Sequence, residues 1–171
     1  SGCSSLTSID IPDGVTQIGG FSGCSSLTSI EIPESVTFIR ARAFEGCSSL
    51  TSISLSENLT SIGDYAFWEC SSITSIDIPD GVTAIGYAAF SGCSSLVSIS
   101  LPENLTSIGD YTFSGCSSLT SISLSKNLSS IGSSAFSGCS SLTSIDIPDG
   151  VTVIGNYAFD NCTSLTSIII P

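Results

Sequence analysis

Apolar residues return along this chain in a fixed rhythm. In residues 93–115 they are Cys93, Leu96, Ile99, Leu101, Leu105, Ile108 and Phe113, and the same spacing recurs every 23 residues. The cysteines mark the beat: Cys3, Cys24, Cys47, Cys70, Cys93, Cys116, Cys139 and Cys162 are separated by 21 residues and then by six intervals of 23. A period in this range is the signature of a repeat architecture and takes precedence over any local secondary-structure reading. With each unit numbered from its cysteine, apolar residues at positions 7 and 9 alternate with polar ones at 6 and 8. That is the pattern of a short strand with one buried face. A weaker alternation follows at positions 13 to 16.

Between the two alternations lies a turn. Its position 12 holds Gly14, Gly81, Gly150, Asn58, Asn104 or Asn127, with Ser35 the exception. Gly and Asn both tolerate positive φ, so left-handed backbone is expected there. After the recurring Ile-Gly step, Asp64, Asp110, Ser133 and Asn156 stand where a residue would cap one short helical or 3₁₀ turn. A 23-residue unit cannot bury both its faces alone, so neighbouring units must stack, with strands about 4.8 Å apart in a parallel ladder. The expected fold is a single solenoid over residues 1–171, with equivalent side chains forming columns.

The units also carry a family resemblance. The segment Leu-x-x-Ile-x-Ile or Leu, then Val or Leu-Thr-x-Ile-Gly, then x-Tyr-Ala-Phe-x-x-Cys, resembles the BspA-like class of leucine-rich repeats along the whole chain. The departures cluster in the second unit, where Arg40 replaces the usual Gly, and at a two-residue deletion just before it, in Gly19-Gly20-Phe21. The resemblance implies a leucine-rich-repeat solenoid: a right-handed, curved stack of parallel β-strands joined by short helical or 3₁₀ turns. It further implies an extracellular or cell-surface protein that binds or adheres to host or bacterial surface proteins.

Charge narrows the chemistry. Three Lys plus Arg against fifteen Asp plus Glu give a net charge of −12, and there is no His. Nucleic acid is excluded as a natural partner, because nothing here replaces phosphate counterions. His-based zinc sites and Ser-His-Asp triads are excluded as well. No cofactor is expected, nor insertion into a membrane, since no stretch approaches the roughly 18 apolar residues of a span. One cysteine per unit at the same inward position reads as a column of reduced, buried thiols rather than a disulfide framework; without CxxC or His neighbours no metal site is expected.

Ten of the fifteen carboxylates fall at two positions. Position 11 holds Asp13, Glu34, Glu57, Asp80, Glu103 and Asp149, interrupted by Lys126, and position 8 holds Asp10, Glu31, Asp77 and Asp146. They read as a solubilising rim, or as a surface drawing divalent cations or a basic partner. Stacked like charges lack the asymmetry that an acid–base pair needs, so no catalytic residue is assigned. A serine column at position 6, including Ser52, Ser75 and Ser98, joins Asp77 on the outward face of the main sheet, the usual binding surface of repeat proteins.

Where units differ from one another, a specific contact is expected. Phe38, Arg40 and Arg42 in the second unit and Tyr65 and Trp68 in the third should stack close together, with Arg42 over Tyr65. The plainer reading is local repair around the deletion, with Arg42 pairing Glu45. Four sequons, at Asn58, Asn104, Asn127 and Asn161, coincide with the repeat's own turns. The chain finishes on Ile168, Ile169, Ile170 and Pro171, read as part of a longer array or as a surface that packs on other copies. The leading expectation is a non-enzymatic binding or adhesion module with a protein partner. The competing one is a self-associating solenoid that forms end-to-end oligomers.

Overall fold

The computed structural model describes residues 2–170, so Pro171 of the terminal apolar run lies outside the described residues. Short strands line up in two rows along the stack, with the coils at residues 8–10 and 121–123 adding none to the main row. The main row is β2 (Ser29–Glu31), β4 (Ser52–Ser54), β6 (Ser75–Asp77), β8 (Ser98–Ser100), β11 (Ser144–Asp146) and β13 (Ser167–Ile169). The minor row is β1 (Gln17–Ile18), β3 (Phe38–Ile39), β5 (Ser61–Ile62), β7 (Ala84–Ile85), β9 (Ser107–Ile108), β10 (Ser130–Ile131) and β12 (Val153–Ile154). All recorded pairings are parallel and join residues at the repeat spacing, as in Ser75 with Ser98 and Ile39 with Ile62. The architecture is therefore the parallel solenoid that the sequence period demands.

The core is a set of columns. Phe21, Phe44, Phe67, Phe90, Phe113, Phe136 and Phe159 stack with ring centroids 5.2 to 5.7 Å apart. Beside them Cys24, Cys47, Cys70, Cys93, Cys116 and Cys139 are buried, Cys162 is half-buried and Cys3 is exposed. All eight cysteines are free. From Cys47 to Cys162, each thiol donates to the carbonyl of the phenylalanine 26 residues earlier, at 3.0 to 3.2 Å. Parallel side chains in a column point at neighbouring backbone rather than at one another, which is why the thiols bond carbonyls.

The connecting segment contains no helix among the described residues. Its N–H groups alternate in destination. Ala43 and Cys47 donate locally to Arg40 and Phe44, while Arg42, Phe44 and Gly46 donate to Asp64, Ala66 and Trp68 in the next coil. Half of the donors that a helix would keep are spent on the neighbouring coil, so turns replace it. The price is left-handed backbone once per half-segment: Arg42, Tyr65, Ala88, Tyr111, Ser134 and Tyr157 have φ between 50° and 59°. The second left-handed position falls on Gly residues, on Glu69 and on Asn161.

Two local expectations are corrected. Position 12 is left-handed only at Gly14. Elsewhere it is a site of close approach to the preceding coil: a Cβ built on Gly81 would stand 2.9 Å from the Leu59 carbonyl oxygen. Asn at that position instead reaches across, as Asn58 and Asn127 donate to the carbonyls of Glu34 and Glu103 at 2.9 Å. Nor do Asp64 and Asp110 cap their own turns. Their carboxylates accept the backbone N–H of Tyr87 and Ser133, one coil onward, at 2.8 and 2.7 Å.

Candidate binding surface

The outward residues of the main row form a continuous polar face. Ser52, Ser75, Asp77 and Ser98 are all exposed on it, while Ile76 and Ile99 point into the core. The alternation that the sequence showed at period two is what places hydroxyls and carboxylates outside and isoleucines inside.

This face is not a uniform sheet. Its strands pair as β2 with β4, β6 with β8 and β11 with β13. Each pair is reinforced by a further bond in which Ile32, Ile78 or Ile147 donates to the next coil, and no such bond comes from Leu55, Leu101 or Leu124. Ile11 shares the position and donates no such bond among the described residues, so the residue type there does not by itself decide where the ladder closes.

Three open depressions lie on the face, each at a junction where no ladder closes. One of about 490 Å³ between β4 and β6 is lined by Ser52, Ser54, Glu57, Ser75, Asp77 and Asp80. One of about 520 Å³ is lined by Ser8, Asp10, Ser29 and Glu31, and one of about 440 Å³ by Ser121, Lys126, Ser144 and Asp146. Three of the expected binding residues, Ser52, Ser75 and Asp77, therefore share one depression, and Ser98 sits on the adjoining strand β8.

The lateral cluster contracts. The Arg42 guanidinium carbon lies 4.4 Å from the centre of the Tyr65 ring and its Nη1 is 2.7 Å from Glu45 Oε1, so stacking and the ion pair coexist. Trp68 meets Tyr65 edge-on at 6.5 Å. Arg40 lies over Gly19, filling the space that the deletion leaves: a Cβ built on Gly19 would be 3.2 Å from Arg40 Cδ. Phe38 stays on β3, half-buried beside Gln17 and Ser61, without an aromatic partner among the described residues. Two residues that the column reading missed extend the row instead. Tyr87 packs on Tyr65 at 5.2 Å and Tyr111 packs on Tyr87 at 5.4 Å. Tyr87 stands one position earlier in its unit than Tyr65 and Tyr111 do in theirs, so strict register concealed it. Packing pushes the Tyr87 hydroxyl up from its ordinary value, first by desolvation and then by the adjacent Tyr65 and Tyr111.

Ile168, Ile169 and Ile170 are exposed on the last described coil, with Ile168 in register with Ile145 and Ile169 with Asp146.

The family described as BspA type leucine rich repeat region matches residues 1–99 and 83–171, with six copies. A leucine-rich-repeat protein of T. pallidum superposes with a TM-score of 0.89 at 32% identity, over 94% of this chain and 78% of that one. A leucine rich cell surface protein from Faecalibacterium prausnitzii A2-165 gives 0.82 at 38% identity, over 94% of this chain and 46% of the other. A leucine-rich repeat protein from Bacteroides ovatus gives 0.72 at 38% identity, over 99% and 50%. The chain thus spans about half the length of the latter two. No curated protein matches the chain by sequence. The chain belongs to the BspA-type leucine-rich-repeat family.

Proposed function

We propose, with membership of the BspA-type family as the premise, that this chain is a non-enzymatic protein-binding module working outside the cell or at its surface in adhesion. The main-row face is its contact surface, and the partner is a host or bacterial surface protein. The observation that carries the reading is the depression between β4 and β6, where exposed hydroxyls and carboxylates of two coils converge at an unclosed ladder. A repeat stack offers the same chemistry at several such junctions, and an extended surface of this kind suits a macromolecule better than a small substrate. The F. prausnitzii relative, described as a cell surface protein, supports the location.

The test is a binding panel of purified host extracellular proteins and bacterial surface proteins, with the chain immobilised. One or more partners should bind, and Ser75→Lys with Asp77→Lys should weaken that binding at least about tenfold with an unchanged circular dichroism spectrum. Thr83→Lys, outside the main row, should leave it intact. Binding indifferent to the Ser75 and Asp77 changes would remove this face from consideration. Sedimentation over a concentration series tests the competing reading: end-to-end growth suppressed by Ile169→Lys would support self-association instead.

A further inference from the structure

The flank at Tyr65, Tyr87 and Tyr111 lies outside the main-row face and carries its own chemistry. We propose that this tyrosine row, with the exposed carboxylates Asp64 and Asp110, is a second docking surface that takes arginine side chains from a cationic polypeptide segment.

The chain itself displays the interaction. Arg42 lays its guanidinium 4.4 Å from the Tyr65 ring centre and anchors it to Glu45 at 2.7 Å, a cation held between an aromatic face and a carboxylate. Tyr87 and Tyr111 continue the row at 5.2 and 5.4 Å, both are 40% exposed, and neither is covered by a cation among the described residues. Asp64 precedes Tyr65 and accepts the Tyr87 amide from the next coil, Asp110 precedes Tyr111, and each has one oxygen bonded to backbone and the other without a partner among the described residues. Asp110 is close enough to raise the Tyr87 hydroxyl further.

Charge selects the occupant. With three basic residues against fifteen acidic ones, the chain has no further arginine for these rings, and its net charge of −12 attracts a basic segment. Arginine is favoured over lysine because a planar, weakly hydrated guanidinium stacks on a ring while bonding a carboxylate at its edge.

The test uses capped hexa-arginine and hexa-lysine peptides titrated calorimetrically into the chain at low ionic strength. Hexa-arginine should bind at least about threefold more tightly than hexa-lysine. Tyr87→Ser with Tyr111→Ser should weaken hexa-arginine about five- to thirtyfold, the loss of two exposed cation–π contacts, and erase the preference. The fold tolerates the change, because Ser133 and Ser134 occupy the equivalent places one coil beyond Tyr111. Tyr87→Phe with Tyr111→Phe should bind within about twofold of the parent. Asp77→Ser with Asp80→Ser, on the main-row face, should lower both peptides alike and keep the preference. Equal binding of the two peptides by the parent, an unaffected serine variant, or loss of binding in the phenylalanine variant would each overturn the proposal.

Discussion

Gly86 and Gly109 hold the same place in successive coils, yet they meet different surroundings. A Cβ on Gly86 would stand 2.5 Å from the Asp64 backbone nitrogen and 2.6 Å from the Gly63 carbonyl carbon. On Gly109 the nearest atoms are the Thr112 hydroxyl at 3.3 Å and the Ile85 oxygen at 3.8 Å. Neither glycine has positive φ, so the difference is one of space alone. Gly86→Ala has to push apart two backbones and should lose about 3 kcal/mol, at the upper end of overpacking costs, whereas Gly109→Ala should lose less than about 1 kcal/mol. Urea melts of the two variants check this, and equal losses would refute the close-approach account. The recurring Ile-Gly step was legible in the sequence, but its reason was not. The Gly and Asn of position 12 show why: their shared tolerance of positive φ is a property of a residue, while the close approach at Gly81 and the Asn58 bond to Glu34 are properties of two coils together. Asp64 misleads in the same way, since an N-cap and an inter-coil acceptor need the same carboxylate.

Strands and their register follow from the repeat, because a period of 23 residues fixes which residues lie side by side. Breaks in the ladders do not follow, since they depend on single departures from the repeat. One such break lies in the minor row, where β7 and β9 are unpaired. On either side of it Gly86 donates to Ile62 and Gly132 to Ile108, both at 2.8 Å, but Gly109 has no backbone acceptor among the described residues. Two substitutions meet at this junction. Thr112 replaces the alanine of the neighbouring coils, is fully buried, and donates its hydroxyl to the Gly109 carbonyl at 2.9 Å. Tyr87 replaces the aspartate that links other coils, so the carboxylate bond seen from Asp64 and Asp110 is missing here. The amide of Gly109 should therefore exchange with deuterium faster than those of Gly86 and Gly132, by about tenfold or more, as expected for a donor outside the ladder. Thr112→Ala should narrow the gap by letting the coil settle inward. Equal protection at the three glycines would show that the ladder is continuous in solution. The depressions of the main row arise in the same manner, at junctions whose chemistry the sequence displayed and whose opening it did not.

Across the whole molecule the columns act together, and the thiol column makes that measurable. Burial, more than the repulsion of neighbouring thiolates, pushes Cys47 up to about 11 and Cys139 up to about 12, and raises Cys70, Cys93 and Cys116 well above their ordinary value of 9.0. In the unfolded chain these thiols titrate near 9.0, so above that pH the unfolded state has released protons that the folded state retains. Stability falls with pH wherever the folded state binds more protons, so this contribution is fully present below pH 9 and is lost as pH rises toward the folded-state values. Each thiol that stays protonated adds a slope of about 1.4 kcal/mol per pH unit. Cys70, Cys93, Cys116 and Cys139 are fully buried and carry most of this loss, which sets in above pH 9. Solenoid coils share their stability through nearest-neighbour contacts, so the loss should appear as unfolding of the stack rather than of one loop. Denaturant midpoints measured from pH 8 to 11 should be flat to pH 9 and then drop steeply. Cys93→Ala with Cys116→Ala should start from a lower midpoint, because two small cavities are left, but fall with about half the slope. A slope that the double variant leaves unchanged, or thiolate absorbance rising near pH 9 while the chain is still folded, would mean that the cysteines are not held in a dry column.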